Sequence, residues 1–147
     1  MIDLLWVYSN DPEDWIVTRT HAEIDTMLDK IATLSREDWP AAAQVTEASV
    51  DPVADFNAPE MYVGFHVDRG ALLYVGPDDP DGSFSVGDGP DKGEPILYML
   101  GLHDTEFPPN AEIDNDVVRR AAHEFADTGR RPTNPQWRPV RGDAWSI

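Results

Sequence analysis

Apolar positions along the chain follow two periods, and the switches between them mark out the elements. Leu4-Leu5-Trp6-Val7-Tyr8 is a continuous apolar run ended by the turn cluster Ser9-Asn10-Asp11-Pro12, which predicts a strand. Trp15-Ile16-Val17-Thr18 predicts a second, shorter one. The period then changes. Thr20 is followed three residues later by Glu23, the spacing of a capping box, and Ile24, Met27, Leu28, Ile31 and Leu34 fall on one helical face. The helix should run from about Thr20 to Leu34 or Ser35 and end before Trp39-Pro40. Asp25 and Asp29 lie on its other face, with Lys30 or solvent for company.

Residues Gln44 to Ala48 predict a strand, and Asp51 to Pro59 a loop. Met61 to Val67 is rich in β-branched and aromatic residues and predicts a strand. Asp68-Arg69-Gly70 is then a short connection in which Gly70 supplies positive φ, leading to a hairpin partner at Ala71 to Val75. Gly76 to Gly82 predicts a turn, Ser83 to Val86 a short alternating strand, Gly87 to Gly93 a second loop, and Pro95 to Leu100 an apolar strand. Links this short exclude crossovers, so residues 61–100 read as an antiparallel meander.

Gly101 to Asn110, with Pro108-Pro109, predicts a loop. A second helix covers about Asn115 to Asp127. Asp114 or Asn115 can cap it, Val117, Val118, Ala121, Ala122 and Phe125 form its apolar stripe, and Gly129 stops it. A last strand spans Gln136 to Val140, followed by a tail from Gly142 to Ile147. There is no internal repeat and no linker. The expectation is one α+β domain over residues 1–147, mostly antiparallel sheet with two helices, about 20–34 and 115–127, on one face.

Charge changes this picture from a fold to a surface. The chain of 147 residues has a formal net charge of −17. From Glu47 to Asp114 there are fifteen Asp or Glu against two basic residues, Arg69 and Lys92. The same stretch reads as ordered β structure, so it is a folded surface with one sign of field and not an acidic tail. Such a surface attracts cationic partners and repels phosphates and anionic lipid. Nucleic acid and membrane are therefore excluded as partners. Arg119, Arg120, Arg130, Arg131, Arg138 and Arg141 form a modest basic C-terminal region, expected to pair with the acidic remainder. A bland source of the acidity is also open: nine Arg against two Lys suits a GC-rich genome, and a whole proteome can be acidic.

Candidate chemistry is sparse. Without cysteine there is no disulfide framework and no thiolate zinc site. The N-terminus lacks the pattern of a signal peptide, and no apolar run approaches the ~20 residues that span a bilayer. A cytoplasmic, soluble protein is expected. The Asp-rich stretch from Pro77 fails the calcium-loop register, because Pro77 would stand at the first ligand position and Ser83 onward reads as strand. No G-x-S-x-G elbow, dinucleotide fingerprint or phosphate loop is present. His66 and Asp68, two residues apart on a strand, together with His103 and Asp104, are the residues an alternative metal-binding or enzymatic reading would use. A further alternative is an acidic structural or adaptor domain in an acid-rich proteome.

The second half of the chain resembles a known family on an ordered set of motifs: Tyr62-Val63-Gly64-Phe65; Arg69-Gly70-Ala71-Leu72 leading to Tyr74 and Gly76-Pro77-Asp78; Gly93-Glu94-Pro95 with Tyr98; and Glu106-Phe107-Pro108. The longest block is Asp116-Val117-Val118-Arg119-Arg120-Ala121, continuing to Glu124-Phe125, Thr128-Gly129, Arg131-Pro132 and Trp137. In these it resembles the immunity proteins encoded beside deaminase-type toxins in actinobacterial polymorphic toxin systems. The resemblance spans roughly Met61 to Trp137. It implies a non-enzymatic inhibitor without cofactor that binds a cognate toxin and blocks its active site. A deaminase presents a basic groove for nucleic acid, which an acidic surface can occupy. On that reading Asp78, Asp79, Asp81, Asp88 and Asp91 in the two turn loops are the expected contacts, with Glu94, Asp104 and Glu106 next. Phe84 is an apolar anchor beside them, and Tyr62 is assigned to core packing ahead of contact.

Overall fold

The computed structural model describes residues 1–49, 58–90 and 92–140. Among these residues ten strands form one sheet: β1 Leu4–Val7, β2 Ile16–Thr18, β3 Ala41–Glu47, β4 Glu60–His66, β5 Arg69–Gly76, β6 Asp79–Val86, β7 Ile96–Leu100, β8 His103–Phe107, β9 Ile113–Asp114 and β10 Gln136–Pro139. Two helices, α1 His21–Leu34 and α2 Asn115–Thr128, complete the α+β fold. The main path runs β10-β6-β5-β4-β3-β1-β2, and every pairing along it is antiparallel.

The helices begin and end where the sequence places them. Thr20 Oγ1 accepts from the Glu23 backbone N–H at 3.1 Å, while the Glu23 carboxylate accepts from the Arg19 N–H at 2.7 Å. One orphan donor of the first turn and the N–H just before the cap are thereby satisfied. Gly129 caps α2 at φ 67°, with its N–H on the Phe125 carbonyl at 2.8 Å. A Cβ there meets nothing closer than Ile2 Cδ1 at 3.6 Å, so the cost of adding one is conformational alone. Gly129→Ala is expected to lower stability by about 1 kcal/mol, read as the shift in a thermal melt. Asp114 occupies the α2 N-cap position but makes no side-chain cap bond, and Asn115 turns its amide to the Val67 carbonyl instead.

Alternation decides the layers. Ala41, Ala43 and Val45 of β3, Met61, Val63 and Phe65 of β4, and Leu72 and Tyr74 of β5 face the two helices, where Ile24, Leu28, Ile31, Val118, Ala122 and Phe125 meet them. Trp6 and Leu4 close this core from β1, and the Trp6 indole N–H donates to Thr18 Oγ1 at 2.9 Å, so its one polar group is satisfied. Leu34, expected on the buried stripe of α1, stands out of it in solvent. The polar face of α1 stays exposed as expected, and its carboxylates also reach across to α2. Asp29 pairs with Arg119 at 2.7 Å and Asp25 with His123 at 2.7 Å, both on α2.

The opposite face of the sheet is covered by the β7–β8 hairpin, with Tyr98 and Phe107 packing on Ala42, Ala71 and Phe84. This corrects the expected meander. Residues 60–86 do form three consecutive antiparallel strands, but β7 does not continue from β6 because β10 holds that edge. β7 instead pairs with β8, which was expected to be loop, and touches β3 through one parallel pair, Ala41 with Met99. Two hairpin turns also differ. The left-handed residue between β4 and β5 is Val67, at φ 61°, and not Gly70. β6 begins at Asp79, inside the expected 76–82 turn.

Candidate functional site

β5 and β6 part company towards the start of β5. Their register covers Leu73 with Phe84 and Tyr74 with Ser83, and beyond that Ser85 Oγ accepts from the Leu72 N–H at 2.9 Å and donates to the Ala111 carbonyl at 2.7 Å. Residues 110–114 enter the gap. Gly87 donates its N–H to the Asn110 carbonyl, and β9 pairs with Arg69 and Gly70. This insertion delivers Glu112 to the far side of the sheet.

Glu112 is the hub of that region. Its carboxylate accepts from His66 Nδ1 at 2.6 Å, from Arg69 Nε at 2.8 Å and from the Tyr98 hydroxyl at 2.8 Å. Burial by itself would raise the Glu112 carboxyl. The hydrogen bonds from Arg69, His66 and Tyr98 outweigh burial and hold it below the usual carboxylate range. Burial, with Glu112 beside it, pushes the Tyr98 phenol well above the ordinary tyrosine value. His66 Nε2 meets the Glu37 backbone carbonyl at 2.7 Å. Both ring nitrogens therefore face acceptors, an arrangement that the imidazolium satisfies by donating twice. Arg69 completes the set with Nη2 on Glu37 at 3.1 Å and Nη1 on Asp68 at 3.1 Å. A carboxylate that already accepts three hydrogen bonds is placed to fix structure, and it ties β4, β5, β7 and the segment after α1 together. Glu112 and Glu37 were not singled out in the sequence, and Tyr98 only as a motif residue; only a three-dimensional approach assembles them.

Beside the hub lies an open cleft of about 550 Å3, walled by Arg69, Glu112 and Asp114, by Gly87-Asp88-Gly89-Pro90 and by Asn134-Pro135-Gln136. Exposed carboxylates crowd the same end of the sheet: Glu37, Asp38, Asp68, Asp88, Asp114 and Asp116.

The contacts expected from sequence fall into separate places. Asp78 and Asp79 are engaged internally. Asp78 accepts from the Tyr74 hydroxyl and from the Arg131 N–H, while Asp79 accepts from Ser83 Oγ at 2.6 Å and Arg131 Nη1 at 3.0 Å. Burial would raise the Asp78 carboxyl, but the Tyr74 and Arg131 hydrogen bonds hold it below its usual range. Phe84 is corrected outright. It is buried and packs edge-on to Phe107 at 5.3 Å, so it is core and not an anchor for a partner. Tyr62 is half-buried against the same cluster, as assigned. Asp81 is exposed at the start of β6, Asp88 stands in the cleft wall, and Glu94, Asp104 and Glu106 are exposed on and before the β7–β8 hairpin. Asp91 lies outside the described residues, as do Arg141 and the tail from Gly142.

The residues of the metal or enzymatic reading do not converge. His66 and Asp68 are spent on Glu112, Glu37 and Arg69, while His103 and Asp104 are on the hairpin. Among the described residues no three His, Asp or Glu side chains are grouped to hold a metal ion. Of the basic C-terminal residues, Arg119 and Arg131 pair with Asp29 and Asp79 as expected, while Arg120 donates to the Asp116 backbone carbonyl and Arg138 to Asn110 Oδ1. Among the described residues no helix is long and apolar enough to cross a membrane.

The chain is thus an α+β domain with an acidic, internally tied end. The family profile described as Immunity protein Imm1 matches residues 13–139, and the chain belongs to that family. A comparison with curated proteins finds no match. Membership supports an immunity function directed at a cognate toxin.

Proposed function

We propose that this chain neutralises a toxin acting on nucleic acid, a deaminase, by setting its acidic surface into the toxin's basic substrate groove. The observation that carries this reading is the acidic excess from Glu47 to Asp114, fifteen acidic against two basic residues in the sequence, with Asp81, Asp88, Glu94, Asp104 and Glu106 exposed among the described residues. A groove that binds phosphates must be rich in Lys and Arg, and a folded surface of opposite sign competes for it. The field would act chiefly on the association rate, which reaches about 10⁸–10⁹ M⁻¹ s⁻¹ for steered pairs at low salt and falls as salt screens it.

The test uses the purified toxin domain encoded beside this chain and a single-stranded oligonucleotide containing cytosine and adenine. Deamination should fall to background at a one-to-one ratio of chain to toxin. The association rate should drop on the order of tenfold or more between low and high salt. A toxin that is bound and inhibited but deaminates neither base would reject the deaminase assignment. Inhibition whose association rate ignores salt would reject the electrostatic one.

A further inference from the structure

Three large apolar side chains stand in solvent at the acidic end of the sheet. Leu34 is 46% exposed, Trp39 45% and Val67 51%. They come from segments in direct contact. Val67 donates its N–H to Ser35 Oγ at 3.2 Å, His66 bonds the Glu37 carbonyl, and Arg36 and Trp39 exchange backbone hydrogen bonds in the turn that follows α1. The apolar period of α1 places Leu34 on the buried stripe, yet the helix ends with it in water.

Val67 is held there against its own preference. A β-branched residue at φ 61° is strained. The Ser35 hydroxyl on its N–H and the Asn115 amide on its carbonyl hold the turn in that form. The Glu112 hub braces it from behind through His66 and Arg69. Around this apolar centre stand the carboxylates of Glu37, Asp38 and Asp68. An aromatic and aliphatic centre inside a charged rim is the anatomy of a binding hot spot, and a braced one loses little freedom on binding.

We propose that Leu34, Trp39 and Val67 form the centre of the surface on which the toxin docks, and that the toxin meets it with an apolar contact flanked by Lys and Arg. The inference rests on the immunity reading and adds the place of contact. Charge selects the occupant. A second copy of a chain at −17 would bring like carboxylates together, whereas a cationic protein surface complements them.

The experiment measures binding of the catalytically inactivated toxin domain encoded beside this chain, with thermal melts of every variant. Trp39→Ala should weaken binding about thirtyfold or more. Val67→Gly removes the side chain and relieves the strain, so it should bind at least tenfold more weakly while melting no lower than the parent. Asp38→Asn with Asp68→Asn should slow association and leave dissociation nearly unchanged. Leu102→Ser, at the exposed tip of the β7–β8 hairpin, is the comparison arm. If the parent binds and Trp39→Ala and Val67→Gly bind as well as it does, the docking surface is wrong while the immunity reading stands. Loss of binding in Leu102→Ser alone would move the contact to the hairpin and overturn the proposal. Self-association that Trp39→Ala abolishes would assign the patch to a second copy, with the same result. If the folded parent does not bind the toxin at all, the reading beneath the inference fails for that toxin.

Discussion

Glu112→Ala is expected to destabilise the protein by about 3 kcal/mol, a fall of roughly 10 °C in Tm. The substitution removes one side chain but leaves three donors, on His66, Arg69 and Tyr98, without the carboxylate they converge on. Arg69 keeps Glu37 and Asp68 and reaches solvent, so it contributes least to the loss. His66 and Tyr98 are buried and contribute most. A pH signature separates this from a simple cavity. The folded Glu112 carboxyl is held below its ordinary value of 4.5, so the folded state binds fewer protons than the unfolded one as pH falls through that region. The stability it supplies is present above about 4.5 and is lost towards the lower folded value. Asp78 adds a loss of the same sign below its ordinary 3.8. Melts of the parent should therefore drop between pH 5 and pH 3, and Glu112→Gln should flatten the upper part of that drop. A Glu112→Ala melt within about 2 °C of the parent at pH 7 would show that the hub is not holding these elements together.

Gly70→Ala should be as damaging, for a different reason. Gly70 pairs with Phe65 in the centre of the sheet, and a Cβ at Gly70 would lie 2.2 Å from the Gly64 carbonyl oxygen and 3.1 Å from Val118 Cγ2. Neither obstacle can step aside cheaply. The first is backbone within the β4–β5 ladder, and the second is a buried residue of α2. The expected loss is roughly 3 kcal/mol, with a lower urea midpoint and an unchanged slope. Gly64 is constrained from the other face, where a Cβ would meet the Tyr98 ring at 2.4 Å. The two glycines thus let α2 and the β7–β8 hairpin approach opposite faces of the same pair of strands. A urea midpoint unmoved by Gly70→Ala would contradict that close approach.

Much of the fold was legible because its signals are local. The Thr20–Glu23 spacing, the stripe from Ile24 to Ile31 and Gly129 beyond α2 carry their own start, face and stop. β4 and β5 are rich in β-branched and aromatic residues. β8 escaped because His103-Asp104-Thr105-Glu106 has no apolar alternation; it is an exposed strand that owes its pairing to β7. β7 was found but misplaced, since nothing local says that β10, from the far end of the chain, takes the open edge of β6. Gly70 was read as a turn glycine because Asp-Arg-Gly suits a turn, while the turn formed one step earlier at Val67.

The site was less legible than the fold. Acidity pointed to an acidic surface but could not sort carboxylates by use. Asp78 and Asp79 look like Asp88 in sequence, and only the approach of Arg131 and Tyr74 distinguishes them. Phe84 looked exposed because the strand around it is short and polar; the β7–β8 hairpin covers it. Leu34 looked buried for the converse reason. The apolar period runs one residue past the point where the sheet stops offering a surface.

The central claim, immunity towards a cognate toxin, is tested most directly in living cells. The cognate toxin domain is expressed under control, with and without the chain, and colony survival is counted. Survival restored by the parent chain, and lost again in Trp39→Ala at equal expression, is the predicted result. Killing that continues undiminished in the presence of abundant, folded parent chain would contradict it.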